Sequence, residues 1–324
     1  MRLPVLSPAS YRRVTLVALV ALAFIIVSGA AVRLTGSGLG CPDWPTCARN
    51  RVVAPLEYHA MVEFVNRTVT GLVSVAVILA VLGSLRRQPR RRDLTWLSVG
   101  LVAGVIGQIV LGGLTVLFDL RPGFVMAHFL LSMAILADAV VLHDRAGRPD
   151  SGEVAAAGAG WLPERDLRWL GSLVVAAGAL VLFLGTVVTS SGPHGGDEHA
   201  ERLQLTLSEV ARFHGTAVFL FLGLTLVALW RLRSAAAPAN VLRRGEVVLA
   251  VAVAQAAIGY IQYFSGVPAL LVGFHVAGAA AVWVAALRFR LSFAGLPGEA
   301  GSRGAGGASA AATPTRAAVV RGTP

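Results

Sequence analysis

Three of the seven histidines lie well inside long apolar segments, where an ionisable side chain is costly and usually functional. They are His128, His214 and His275. A single histidine at membrane depth is adequately explained by a hydrogen bond between helices. Three of them at similar depth favour a metal centre instead.

The three histidines are expected to lie at a similar depth in the membrane. His214 and His275 lie about seven or eight residues from the outer ends of their segments and His128 about five, so at about 1.5 Å per residue all three lie roughly 10 Å below the outer boundary. The segments of His214 and His275 run in the same direction. Facing each other across one helical bundle, these two imidazoles would bind a single haem iron from both sides.

The earlier part of the chain lacks such a pair. Asn66-Arg-Thr-Val aligns with His214-Gly-Thr-Ala, and asparagine is a poor iron ligand. His59 lies on nearly the same helical face as Asn66 but roughly 10 Å nearer the surface. It would reach an iron only if the site lay higher or the helix began differently. An iron bound by two protein ligands is suited to electron transfer, whereas an iron with an open or weakly bound coordination position is suited to a chemical reaction.

Charged residues accompany these histidines. Glu63 is expected to begin the second helix, one turn from Asn66 and four residues before Arg67. This spacing predicts either an interfacial ion pair or a carboxylate that accepts a proton beside the first site. Arg67 and Arg212 lie near the outer interface, where each would pair with a haem propionate or extend to lipid headgroups.

The only two cysteines lie in one outer loop, Cys41-Pro-Asp-Trp-Pro-Thr-Cys47. An oxidising compartment and the short spacing permit a local disulfide. Zinc would need two further ligands that this loop lacks. The sequence leaves open whether such a bridge is structural or also redox-active.

Membrane-spanning helices must position all these residues. Of the 324 residues, 56% are hydrophobic and only 14% charged. Apolar stretches of roughly 20 residues, about the span of a bilayer core, occur eight times. They lie near residues 14–34, 63–84, 94–117, 123–143, 168–190, 207–231, 243–264 and 268–288.

The net charge of +11 comes entirely from arginine, since the chain has no lysine. The arginines cluster in alternate loops, which is the positive-inside pattern and disfavours nucleic-acid binding. Both termini are therefore expected to be cytoplasmic. The first apolar run is expected to be retained rather than cleaved as a signal peptide, because its end recurs in the second half of the chain.

An internal repeat organises the chain. Gln108 and Gln255 precede His128 and His275 at the same spacing. Each half has an even number of helices, so the repeat is parallel. The predicted fold is an all-α polytopic membrane protein whose eight transmembrane helices form two tandem parallel four-helix bundles. The expected divisions are a substrate half, a cytoplasmic linker, a cofactor half and a disordered cytoplasmic tail, at 1–145, 146–167, 168–291 and 292–324.

Over about residues 10–290 these features resemble the haem A synthase family. The resemblance rests on the Gly-Cys-Pro-Asp-Trp-Pro-Thr-Cys loop ending at Cys47, the Glu63 motif and the three buried histidines. Glu-Phe-Val-Asn-Arg and the loop 192–197 are similar to an actinobacterial-type branch. The widespread family motif is Glu-x-x-His-Arg, so Asn66 is a departure. Some members carry a second cysteine pair where this chain has His194 and His199.

The resemblance implies oxidation of the C8 methyl of haem O to a formyl group, giving haem A for cytochrome oxidase. It implies a haem b cofactor on His214 and His275, with Arg212 nearby. The substrate haem would lie with His128, Asn66, Arg67 and His59, and Glu63 would take up a proton.

The resemblance also implies a location and partners. The protein would lie in the cell membrane with its haem sites toward the outer face. Its partners would be haem O synthase, the cytochrome oxidase assembly apparatus and an unidentified electron carrier.

Two alternatives stay open: a di-haem membrane cytochrome b, and a transporter that uses the histidines as a proton relay.

Overall fold

Eight long helices account for most of the residues that the structure describes. The structure is a computed structural model that describes residues 5–48, 52–150 and 165–293. Each helix is long and apolar enough to cross a bilayer, so the chain is a multi-pass membrane protein, as predicted. The helices are α1 (Pro8–Leu34), α2 (Tyr58–Arg86), α3 (Arg92–Leu117), α4 (Pro122–Ala146), α5 (Arg165–Ser191), α6 (Leu207–Ser234), α7 (Ala239–Phe264) and α8 (Ala269–Leu291).

Most helices extend beyond the apolar segments read from the sequence. Helix α1 begins at Pro8, and the hydroxyl of the preceding Ser7 caps it by accepting the Ser10 backbone N–H. Helix α2 begins at Tyr58, so the expectation that Glu63 starts this helix is wrong. Hydropathy marks only the part of a helix that lies in hydrocarbon, and capping decides where the helix begins.

The helices form two four-helix bundles. In the first half, α1 contacts α2, α2 contacts α3, α3 contacts α4, and α4 returns to α1. In the second half, α5, α6, α7 and α8 make the same closed circuit. Helices α2 and α4 therefore lie diagonally across one bundle, and α6 and α8 across the other. The predicted tandem arrangement is confirmed.

The two halves pack along α4 and α8 within one compact unit. Helix α8 contacts both α1 and α4, and α4 also contacts α5. The Trp283 indole N–H of α8 donates a hydrogen bond of 2.9 Å to the Met133 carbonyl of α4. Because this donor is buried, its hydrogen bond avoids a large desolvation cost and fixes the two halves against each other.

Two short turns at corresponding places also repeat between the halves. Residues 118–121 join α3 to α4, and residues 265–268 join α7 to α8. Both turns use left-handed backbone, with φ of 59° at Leu120 and 59° at Val267. Tight turns of the same shape set α4 and α8 at corresponding places in their bundles.

The segment between the halves is only partly described. Helix α4 ends at Ala146 and α5 begins at Arg165, so both ends of the expected linker 146–167 belong to helices. Residues 151–164 lie outside the described residues, as does the expected tail 292–324 apart from its first two residues.

Candidate haem-binding sites

The second half brings two histidines together. His214 on α6 and His275 on α8 lie across the bundle diagonal, with ring centroids 6.4 Å apart and ring planes inclined by 70°. Both side chains are half-buried, and the Nδ1 atom of His275 is buried with no hydrogen-bond partner among the described residues. Buried polar atoms are normally paired, so the His275 imidazole is suited to a group that the chain itself does not supply.

The spacing of these rings fits one metal atom between them. An imidazole nitrogen binds a transition metal at about 2 Å, and the ring centroid lies about 1 Å behind it, so two rings sharing one metal have centroids about 6 Å apart. The observed 6.4 Å agrees with that requirement. The donor set also suits haem iron, for which histidine is a common axial ligand.

Two glycines and a glutamine position the imidazole rings of His214 and His275. A methyl group at Gly185 of α5 would lie 3.3 Å from His214 Cε1, and one at Gly259 of α7 would lie 3.0 Å from His275 Cε1. The Gln255 side-chain amide donates to the His275 carbonyl oxygen at 2.6 Å. Because glycine has no side chain, each imidazole fits against the helix backbone. The Gln255 hydrogen bond attaches α7 to the backbone of α8 beside His275.

The first half repeats the glycine and glutamine contacts of His275 at His128. A methyl group at Gly112 of α3 would lie 3.2 Å from His128 Cε1, and the Gln108 amide donates to the His128 carbonyl at 2.9 Å. His128 Nδ1 is also buried and without a partner in the described part of the chain. This hydrogen bond explains the recurrent glutamine-to-histidine spacing: the glutamine contacts the backbone of the histidine on the next helix.

The opposite seat of the first half holds Asn66. The Ser28 hydroxyl donates to Asn66 Oδ1 at 2.8 Å. A methyl group at Gly29, the repeat counterpart of Gly185, would meet no described atom within 4 Å. The first half therefore has Gly29 where the second half has Gly185 beside His214. Because the Asn66 side chain is shorter than an imidazole, the space beside Gly29 stays open.

His59 lies away from the bundle interior. It is in the first turn of α2, exposed, and its Nδ1 lies 2.9 Å from the Ser37 hydroxyl. Helix α2 does begin earlier than hydropathy indicates, which was one condition for His59 to act. The structure nevertheless pairs His59 with the α1–α2 loop and does not bring it beside Asn66.

Glu63 and Arg67 form a buried ion pair beside the loop of residues 41–47, the disulfide loop. Glu63 is 5% exposed, and its Oε1 lies 2.6 Å from Arg67 Nη2. Its Oε2 accepts the Cys41 backbone N–H at 2.7 Å. Arg67 also donates to three carbonyl oxygens of the loop. These bonds use all five guanidinium N–H groups. The contact of Arg67 with a propionate stays a prediction.

The cysteines are joined. Cys41 and Cys47 form a disulfide, as the spacing permitted, and both are buried. A methyl group at Gly113 of α3 would lie 2.7 Å from the Trp44 ring, so the loop packs onto α3 directly beside Gly112. The disulfide loop thus covers one end of the first bundle, between Glu63 and the helix that packs against His128.

The α1–α2 segment and α1 of the first half contact the α5–α6 segment and α5 of the second half. The Gly38 N–H donates to the Gly196 carbonyl at 2.8 Å, and Arg33 donates to the Thr189 carbonyl at 2.8 Å. His194 Nε2 lies 2.8 Å from the Val267 carbonyl, whereas His199 is exposed. His194 thus contacts a loop of its own half. Arg212 is exposed on α6.

Sequence reasoning missed several of these contacts. Ser28, Trp44, Gly185 and the two glycines that seat His128 and His275 received no role. A signal was present for the last pair, since each glycine lies four residues after Gln108 or Gln255 and therefore on the same helical face. Ser28 and Trp44 carry no comparable local signal.

Two tandem bundles with half-buried imidazoles on α4, α6 and α8 define a polytopic membrane protein with candidate metal-binding sites. Residues 12–193 match the model of a family described as cytochrome oxidase assembly protein (COX15-CtaA). This match covers the first half and α5. It includes the disulfide loop, Glu63 and His128.

Curated relatives agree with that match. The chain is 26% identical to a haem A synthase of Lysinibacillus sphaericus over 53% of this chain and 55% of that protein. It is 29% identical to one of Bacillus licheniformis over 38% of this chain and 41% of the relative. With one of Shouchella clausii it shares 33% identity over 36% and 40%. The matches thus span about half the length of these relatives or less.

The chain belongs to the cytochrome oxidase assembly protein family, and the resemblance to haem A synthases is confirmed. The actinobacterial-type branch stays a prediction.

Proposed function

We propose that this protein is a haem A synthase that oxidises the C8 methyl group of haem O to a formyl group. The observation that carries the proposal is the 6.4 Å pairing of His214 and His275 in a family member whose other half presents a different, less saturated site. The unequal halves support a division between electron transfer and substrate oxidation.

The second half would bind a haem b cofactor. His214 and His275 would hold its iron, and the exposed Arg212 near the start of α6 would contact its propionates. When bound, this haem would supply a one-electron redox centre. The chain would hold the imidazoles in place through Gly185, Gly259 and the Gln255 hydrogen bond.

The first half would bind haem O as substrate. His128 would hold the iron from α4, and Asn66 would leave the opposite side accessible. Oxidation of a methyl to a formyl group adds one oxygen atom; with water as the oxygen donor, each methyl oxidised to a formyl group releases protons and electrons, which go to the proton acceptor and to the electron carrier. Glu63, buried at the outer end of this bundle, would accept or relay a proton, and Arg67 with the disulfide loop would hold its carboxylate.

The proposal includes a location and partners. The protein would lie in the cell membrane with both termini cytoplasmic and the haem sites toward the outer face, which the arginine clustering supports. Haem O synthase would supply the substrate, and the product would serve cytochrome oxidase assembly. A separate electron carrier would receive the electrons.

Pigment extraction tests the function. The full chain is expressed in cells that make haem O, purified, and its haems are separated by chromatography. Haem A, or haem O hydroxylated at the methyl, is expected. Haem b alone would instead indicate a membrane cytochrome b, and a purified protein without haem would indicate a transporter.

A further inference from the structure

We propose that Arg67 is the positioning residue for Glu63, and that it acts by joining the Glu63 carboxylate to the disulfide loop. This inference rests on the proposed function, because Glu63 is taken there as the proton acceptor. It adds a role for Arg67 and makes the disulfide loop part of the site.

The guanidinium of Arg67 bridges two parts of the chain. Its Nε and Nη2 donate to Glu63 Oε1 at 3.1 and 2.6 Å. Its Nη1 donates to the carbonyl oxygens of Asp43 and Thr46 at 3.2 and 2.9 Å, and Nη2 also donates to that of Cys41 at 3.0 Å. A planar fork with five donors can make all these bonds at once, whereas a lysine ammonium cannot.

Both oxygens of Glu63 are therefore held. The Cys41 N–H donates to Oε2 at 2.7 Å, while Arg67 occupies Oε1. A carboxylate with donors on both oxygens has one favoured orientation, and burial excludes the water that could replace them. The direction in which Glu63 presents itself to the first-half site thus depends on Arg67 and on the Cys41 amide.

The disulfide keeps that amide in place. It closes the loop, whose Asp43 N–H donates to the Cys47 carbonyl at 3.2 Å. Trp44 packs on Gly113 of α3, next to the glycine that faces His128. Opening the ring enlarges the set of conformations available to residues 41–47. The three carbonyls bound by Arg67 would then no longer be preorganised, and Glu63 would lose its fixed partners.

Reduction of the disulfide tests the attachment without any haem chemistry. Wild type, Arg67→Gln and Arg67→Lys are treated as full-length protein with a membrane-impermeant phosphine, and free thiols are counted by alkylation and mass shift. Loss of the hydrogen bonds to the loop is expected to speed reduction of Arg67→Gln by about tenfold. Arg67→Lys should be intermediate, because it keeps the charge beside Glu63 but not the fork. Arg121→Gln is the matched control, since Arg121 is an exposed arginine whose side chain pairs, in the described part of the chain, with Glu201 at 3.9 Å.

A double-variant comparison tests whether Arg67 acts through Glu63. Haem A formation is measured for Glu63→Gln, for Arg67→Gln and for the two combined. The combined variant is expected to form as much haem A as Glu63→Gln alone, because a positioning residue has nothing left to position. A further fall would show a role for Arg67 that is independent of Glu63 and would overturn the inference.

The outcomes separate this inference from the proposed function. A reduction rate of Arg67→Gln equal to wild type would overturn the attachment, whatever the activity. Wild-type haem A formation by Glu63→Gln would instead refute the proton role of Glu63 and leave the reduction result standing on its own. If Arg67→Gln does not elute as a monodisperse protein, the reduction test is made with Arg67→Lys alone. A disulfide reduction rate of Arg67→Lys equal to that of the wild type would then contradict the inference.

Discussion

The Ser28 hydroxyl donates a hydrogen bond to Asn66 Oδ1, with 2.8 Å between the oxygens, at the place where the second half presents a histidine to its bundle. In the second half, His214 occupies the position of Asn66, and a methyl group placed on Gly185, the counterpart of Gly29, would lie 3.3 Å from His214 Cε1. The two halves thus share a backbone plan but present different side chains at this place.

Asn66→His is expected to fill the open space at Gly29 and to give the first half two facing imidazoles. Haem bound there should change from a form that binds carbon monoxide to a six-coordinate, low-spin form that does not. Optical and electron paramagnetic resonance spectra of haem O-loaded protein measure this change. Asn66→Leu, which offers no ligand, should keep carbon monoxide binding. Identical spectra for Asn66→His and wild type would show that residue 66 does not face the iron.

His214→Ala and His275→Ala are each expected to lower the haem b content of the purified protein by about tenfold or more. Loss of a ligand should cost at least as much as loss of a group that only supports one, which is typically tenfold or greater. Pyridine haemochrome assays measure the content per chain. His199→Ala is the control, because His199 is exposed on an outer loop. Full haem b in both ligand variants would contradict the second-half site.

Gly259→Val is expected to weaken haem b binding by about tenfold while the helices stay intact. A methyl at this position would already lie 3.0 Å from His275 Cε1, so a larger side chain must push the ring off the bundle axis. Gly223→Val makes the same change on α6, where a methyl meets no described atom within 4 Å. Haem titration of both variants checks the result, and equal affinities would show that Gly259 does not seat His275.

Glu63→Gln is expected to slow haem A formation by about a hundredfold, because proton transfer by a positioned side chain contributes typically a hundredfold or more. Haem O binding should be retained, since His128 lies on a different helix. Conversion of haem O in membranes, followed by chromatography, measures the loss. Glu57→Gln is the matched control, because Glu57 is exposed just before α2. An effect of the same size in the control would point to a general charge effect instead.

Much of the fold follows from local properties of the sequence. Backbone groups in lipid must be hydrogen-bonded within a segment or a closed sheet, so an apolar run of sufficient length leaves helix as the simplest structure. That constraint explains why the eight spans were predicted correctly, and the similarity of the two halves in sequence explains the same for the tandem repeat. Helix ends were not, because Ser7 and the turn before Tyr58 lie outside the apolar region that hydropathy detects.

The sequence by itself determined the eight spans, the two halves, the buried histidines and the short spacing of the cysteines, since each is read from residues near one another in the chain. Only the tertiary structure decided that Arg67 binds the disulfide loop, that Trp44 packs on Gly113, and that Asn66 pairs with Ser28. These contacts join distant residues through side-chain directions in loops and on facing helices. No periodicity or composition encodes them, because they arise only when the helices pack.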